Sequence, residues 1–283
     1  MKPHLLLTLC ALFFGVMVRG TTAAEIPENF QRANLVPWCI VPFDAAKRGP
    51  EARAAMLAGL GLQRSAYDWR AEHVPTFAEE IAAYRKHGIE FFAFWAQEES
   101  AFALFEEHGL APQIWVTCPD PGGTDAAARV GAAADALEPA AKRAEELGSS
   151  LGLYNHGGWG GEPENLVAVT KALHARGFSK VGIVYNFHHG HDRIGHFKED
   201  LALMDGHLLC VNLNGMVPGG DPKILTLGEG SEEAGMIRTL IETNYAGPVG
   251  IIDHREDLDT ELALRENLEG LSKILSELGF EGK

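Results

Sequence analysis

Residues 150–191 read SLGLYNHGGWGGEPENLVAVTKALHARGFSKVGIVYNFHHGH. Two short apolar runs, SLGLY (150–154) and KVGIVY (180–185), flank ENLVAVTKALHARG (164–177), whose apolar residues recur at the helical period. Unbroken apolar runs of this length suit strands covered on both faces, as in a parallel sheet wrapped by helices. Gly177, just past the helical pattern, offers the left-handed stop that ends such a helix. The segment is therefore one strand–helix–strand unit.

The same alternation continues in both directions. Further strand candidates are LVPWCIV (35–41), QRSAY (63–67), EFFAFW (90–95), QIWVTC (113–118), HLLCVNL (207–213) and VGIID (249–253). Helical periods fill the gaps, among them EARAAMLAGL, TFAEEIAAYRKHG and EEAGMIRTLIETN, and KHG, EHG and ELG repeat the glycine stop. Pro139 inside the Ala-rich stretch 124–147 predicts two helical pieces there. Eight strand–helix units within 283 residues fit a single (β/α)8 TIM barrel. A doubly wound open sheet is the alternative, but no Gly-rich phosphate fingerprint follows the first strand.

Before the first unit, LLLTLCALFFGVMV (5–18) follows Lys2 and precedes Thr22-Ala23-Ala24, the pattern of a signal peptide with a small-residue cleavage site. The expected organisation is a signal peptide over 1–24 and one barrel domain over 25–283, with the mature chain exported to the periplasm or secreted. A retained N-terminal anchor is the competing reading. Cleavage would leave Cys39, Cys118 and Cys210, an odd and sparse set that suits buried inert thiols rather than a disulfide framework.

A formal charge of −15 and a mean hydropathy of −0.06 describe a soluble acidic chain. That field opposes phosphate backbones and anionic lipid surfaces, which argues against nucleic acid and against a stable membrane partner after cleavage. Composition does not fix an oligomeric state.

In a barrel the chemistry gathers where strands end. Those ends carry Asp68-Trp69-Arg70, Trp95, Asn155-His156 with Trp159, Asn186 with His188, His189 and His191, then Asn212 and Asn214, and Asp253-His254-Arg255. Six of the 12 histidines (73, 156, 188, 189, 191 and 254) fall in these segments. A single histidine there is an ordinary loop residue, whereas six on one face point to a site. Trp69, Trp95 and Trp159 are placed to wall it, while Trp38 and Trp115 suit core filling as well. Amides, imidazoles, carboxylates and flat aromatic walls together match a polyol, so the expected partner is a small-molecule carbohydrate. HExxH is absent, which counts against a zinc peptidase. The group His188, His189 and His191 could also hold a transition metal through neutral imidazoles.

Five stretches carry a family resemblance: GLYNHGGW (152–159), VGIVYNFHHGH (181–191), LLCVNLNGM (208–216), LTLGEGSEEAGMIRTL (225–240) and NYAGPVGIID (244–253). In order and spacing the chain, over roughly 32–279, resembles the xylose isomerase-like TIM barrels, a group of sugar (phosphate) isomerases and epimerases; YDWRAEH (67–73) is similar to exported bacterial members. The resemblance implies a divalent metal at the barrel mouth, held by Glu, Asp, His and Glu from strands five to eight. Here those positions read Tyr154, Asn186, Asn212 and Asp253. Two amides and a phenol do not neutralise a hard cation as carboxylates do, which disfavours Mn or Mg and leaves Asn186, His188, His191 and Asp253 as the remaining metal candidates.

The activity implied is isomerase-, epimerase- or lyase-like, with proton transfer beside the carbonyl of a sugar or keto-sugar. Without paired carboxylates a histidine must supply the base, so His156 with Asp253 is the expected catalytic pair. Asp68, Trp69, Arg70, Trp95, Asn155, Trp159, Asn186, His188, His189, Asn212 and Arg255 are the expected substrate contacts. A noncatalytic carbohydrate-binding descendant of the family is the alternative.

Overall fold

A computed structural model describes residues 24–252 and 254–282. The expected signal peptide lies almost wholly outside the described residues, as does Asp253. Strands β1 (Val36–Trp38), β2 (Arg64–Asp68), β3 (Glu90–Trp95), β4 (Gln113–Thr117), β5 (Leu151–Tyr154), β6 (Val181–Asn186), β7 (Leu208–Leu213) and β8 (Val249–Ile252) form one parallel sheet. Ladder bonds run in sequence from β2 to β8 and then from β8 to β1; β1 and β2 lie side by side and nearly close the barrel. The strands follow the apolar runs read from the sequence, and the (β/α)8 barrel is the fold.

Helices α1 (Pro50–Gly59), α2 (Phe77–His87), α3 (Glu99–His108), α4 (Ala126–Glu146), α5 (Pro163–Ala175), α6 (Phe197–Met204), α7 (Glu233–Glu242) and α8 (Thr260–Glu277) occupy the crossovers. Gly88 and Gly109 end α2 and α3 at φ 69° and 64°, a region that L side chains enter at a cost.

The stretch around Pro139 is a correction to the expected break: α4 runs unbroken through it. Pro139 is exposed, so the carbonyl it leaves without an intrahelical donor faces water. Meanwhile the buried stripe Ala133, Leu137, Ala140 and Ala144 continues past it and holds both halves in one line.

Two hydrophobic layers result. Strand residues pointing outward, such as Tyr67, Phe94, Leu153 and Ile183, pack beneath the helices. Inward residues, including Val36, Trp38, Trp115, Tyr154, Val184, Cys210 and Ile252, fill the barrel. Trp115 is fully buried and fits only because β5 offers Gly152: a Cβ there would stand 2.8 Å from the indole and 2.6 Å from Val184. Burying an indole of this kind contributes roughly 1.5–3 kcal/mol.

Cys39, Cys118 and Cys210 are buried, and none is in a disulfide among the described residues. Burial pushes the Cys118 thiol up to about 12, which suppresses the reactive thiolate.

Candidate active site

At the C-terminal mouth the inward side chains give way to a cavity of about 180 Å3, lined by Trp38, Cys39, Asp68, Arg70, Trp95, Tyr154, His156, His188, His189 and His254. A wider depression of about 500 Å3 around Tyr245 lies where strands begin, and its lining holds no histidine. The 180 Å3 cavity lies where barrel chemistry occurs and gathers four of the strand-end histidines; a neighbouring cavity of about 540 Å3 on the same side, between Pro42, Arg48 and His73, holds one.

The floor is a chain of hydrogen bonds between strand ends. Trp38 Nε1 donates to the Tyr154 hydroxyl at 3.2 Å, and Asn186 Nδ2 donates to the same oxygen. With both lone pairs used, the Tyr154 proton remains available to donate into the cavity. The edge of Tyr154 meets Trp95 at 4.4 Å between ring centres, and Trp95 lies 5.8 Å from Trp38. Burial holds the Tyr154 phenol well above its usual range, so it works here as a neutral hydroxyl.

Above the floor sit four imidazoles. Asn186 Oδ1 accepts from the backbone N–H and from Nδ1 of His188, the latter at 2.6 Å, which places the single proton of the neutral ring on Nδ1 and leaves Nε2 with its lone pair. His189 lies 3.8 Å away between ring centres, tilted by 43°, and takes the other tautomer, because Lys223 Nζ donates to its Nδ1 at 3.2 Å. His156 lies 4.6 Å from His189, and His254 lies 5.8 Å from His188 between ring centres.

Burial first, then the ammonium of Lys223, brings His189 down to about 3 and His254 to about 4. The same two causes lower His156; in His188, also lowered, the neighbouring His189 ranks after burial. All four rings are thereby neutral near pH 7. Facing them, burial raises the Asp68 carboxyl against the pull of Arg70, whose guanidinium grips both carboxylate oxygens.

Of the expected substrate contacts, Asp68, Arg70, Trp95, His188 and His189 line one cavity together with the expected base His156, and Asn186 lies in its floor. The others are placed elsewhere. Trp69 follows the last inward residue of β2, so strand alternation turns it outward onto Phe77, 4.9 Å away. Gly157 and Gly158 adopt φ 88° and 60° and carry the chain off the barrel, leaving Trp159 to stack on Arg129 at 4.6 Å.

Asn155 clamps β5 to β6, accepting from Asn186 N at 2.7 Å and donating to Asn186 O at 3.1 Å. Asn212 is buried with its Oδ1 over Gly250 and its Nδ2 without a partner among the described residues. Arg255 donates to Thr226 and approaches Glu266. His191, a metal candidate, directs Nδ1 to the Val217 carbonyl and Nε2 to the Lys223 carbonyl, each at 2.9 Å, so neither nitrogen is open to a cation. His73 caps a turn by accepting from Arg70 N.

The expected pair His156 and Asp253 is seen only in its first member, since Asp253 is outside the described residues. Sequence reasoning left out Cys39 and Lys223 and placed Trp38 as readily in the core. Cys39 adopts φ 61°, an uncommon geometry for a side chain of its kind. Nothing in local sequence marks Lys223, which reaches the cavity only through the path of its loop.

No protein-family model and no curated protein matches the chain. Solved structures do. A D-psicose 3-epimerase crystallised with D-fructose is similar over 87% of this chain and 99% of its own, with 13% identity and a TM-score of 0.63. The IolI protein with a bound zinc atom matches over 86% and 98%, at 12% identity and a TM-score of 0.67. A putative xylose isomerase from Rhodospirillum rubrum matches over 86% and 98%, at 13% identity and a TM-score of 0.66. The chain has the fold of the xylose isomerase-like TIM barrels; at such identities the shared property is the fold.

The three described positions at which the family resemblance implies metal ligands do not fit a metal here. The Tyr154 oxygen is saturated by two donors, both ends of Asn186 are engaged, and Asn212 offers a neutral amide. Among the described residues, no three His, Cys, Asp or Glu side chains converge to hold an ion.

Proposed function

We propose that this chain is a carbohydrate-active isomerase or epimerase, or a lyase-like relative, that moves a proton at the carbon beside a sugar carbonyl. The observation that carries the reading is four neutral imidazoles, His188 and His189 among them in opposed tautomers, around one small cavity above the Tyr154 hydroxyl. A neutral imidazole lone pair is a competent base at neutral pH, and the adjacent N–H and O–H groups can stabilise the enolate oxygen that forms.

His156 is assigned as the base, with the Nε2 of His188 facing the same space, and Asp253 as its partner in acid–base exchange. Tyr154 and Arg70 orient the carbonyl, and Trp38 and Trp95 cover the apolar face of the sugar. The fold relatives include a protein named as a D-psicose 3-epimerase, which supports a carbohydrate partner.

A second reading, a carbohydrate-binding protein without turnover, is favoured by the neutral residues at the fold group's metal positions. Solvent deuterium incorporation into a panel of aldoses, ketoses and keto-sugars separates the two. Exchange at one carbon supports the enzyme; sugar-dependent thermal stabilisation without exchange supports the binder. The same proposal includes export after cleavage near Ala24, which N-terminal sequencing of the secreted species tests.

A further inference from the structure

The loop after β7 brings one cation to the rim of the cavity and fixes it there. Lys223 donates from Nζ to His189 Nδ1 at 3.2 Å. Its backbone carbonyl accepts from Asn214 Nδ2 at 3.0 Å, and the His191 ring sits between this carbonyl and that of Val217, with Nε2 and Nδ1 each 2.9 Å from one of them and its single N–H donated to one of the two. The His191 ring also packs on Gly220, where a Cβ would stand 3.0 Å from it and where φ is 62°. The His191 ring and the Asn214 amide thus set the path of residues 217–223, and Asn214 Oδ1 accepts from Leu225 N on the far side.

Among the described residues, the charge in contact with the cavity side of this lysine is one-sided. Among the described residues no carboxylate contacts Lys223 Nζ, and the one acid lining the cavity, Asp68, is taken by the fork of Arg70. The four imidazoles add no charge near neutrality, so the described rim presents the Lys223 ammonium as a local positive charge in a chain whose formal net charge is −15. At long range such a chain repels anions, and a local cation held over an uncharged, partly desolvated cavity is what reverses that repulsion at contact.

We infer that the substrate carries an anionic group, a carboxylate or a phosphate, which the Lys223 ammonium receives at the mouth while the carbonyl end enters among Tyr154 and the imidazoles. The inference rests on the reading under Proposed function and narrows its substrate class to acidic sugars. Lys223 is a specificity residue in this scheme. His191 and Asn214 are positioning residues that act through its backbone.

Titration calorimetry of the full mature chain with D-glucuronate, D-glucose 6-phosphate and D-glucose tests the inference, with deuterium exchange measured in parallel. One of the two anions is expected to bind about tenfold more tightly than glucose, equivalent to about 1.4 kcal/mol, and to lose that advantage in rising salt. Lys223→Gln is expected to abolish the preference and Lys223→Arg to keep it; the exposed position makes both compatible with folding. Preference for glucuronate identifies a carboxylate, preference for the phosphate ester identifies a phosphate, and either supports the inference. Glucose binding as tightly as both anions, or a preference that survives Lys223→Gln, overturns it and leaves the sugar reading standing. Absence of binding and exchange with every sugar, neutral or charged, overturns the sugar reading and this one with it.

Discussion

Asn186 Oδ1 lies 2.6 Å from His188 Nδ1, and this one contact fixes which nitrogen of the ring is free. An amide oxygen only accepts, so the imidazole proton is on Nδ1 and the basic lone pair is on Nε2. The family resemblance implies a metal-binding aspartate at the Asn186 position; here the side chain orders two protein groups, Tyr154 and His188. The floor of the site is a hydrogen-bonded network of neutral groups.

Replacing His156 by Gln is expected to lower the exchange rate by about 10²–10⁴-fold, the usual contribution of a positioned base. The ring is partly exposed and the fold should be retained, as read by circular dichroism. Exchange at the parent rate would remove His156 from the mechanism.

Tyr154→Phe would leave Trp38 Nε1 and Asn186 Nδ2, both buried, without an acceptor. Each such group costs about 1–3 kcal/mol, so urea unfolding should show a clear loss of stability together with loss of exchange. A stable, active variant would contradict the network.

Acid should destabilise the fold in a defined window. His189 and His254 are depressed to about 3 and 4, so the unfolded chain takes up protons near pH 6.5 while the folded chain does not. The contribution of these rings is intact above pH 6.5, declines as pH falls, and is lost by pH 3–4. Thermal midpoints measured from about pH 7.5 to 4 should fall less steeply in His254→Phe than in the parent chain. Because burial also lowers His156, the rate of exchange should hold its plateau below pH 6.5.

Exchange should survive exhaustive dialysis against a chelator, because Tyr154, Asn186 and Asn212 supply no negative charge. Inactivation by the chelator and rescue by Mn would show that the donor set holds a metal after all.

Two helical glycines should respond with opposite signs to alanine. Gly131 in α4 has open space within 4 Å of the point where a Cβ would stand, so Gly131→Ala should gain about 0.5–1 kcal/mol from the unfolded chain. Gly270 in α8 lies so close to the Leu227 carbonyl that a Cβ would overlap its oxygen, so Gly270→Ala should lose on the order of 1–3 kcal/mol. Denaturant midpoints check both.

The sequence by itself determined the barrel, because every strand lies between helices and buries both faces, and that requirement is written locally as an apolar run followed by a helical period and a glycine stop. It also marked the mouth, since residues just after each strand share one end whatever the details of packing. The direction of each side chain there was a tertiary matter. Trp69 and Trp159 are strand-end aromatics as Trp95 is, yet a one-residue change of pleat and a pair of left-handed glycines send them outward. Pro139 looked like a helix break, and only the exposure of its face shows why α4 continues. Lys223 carries no motif at all; it meets His189, 34 residues away in the chain, because His191 and Asn214 hold its loop over the cavity. Local periodicity fixes elements and their order, whereas the partners of a loop residue depend on the three-dimensional path between them.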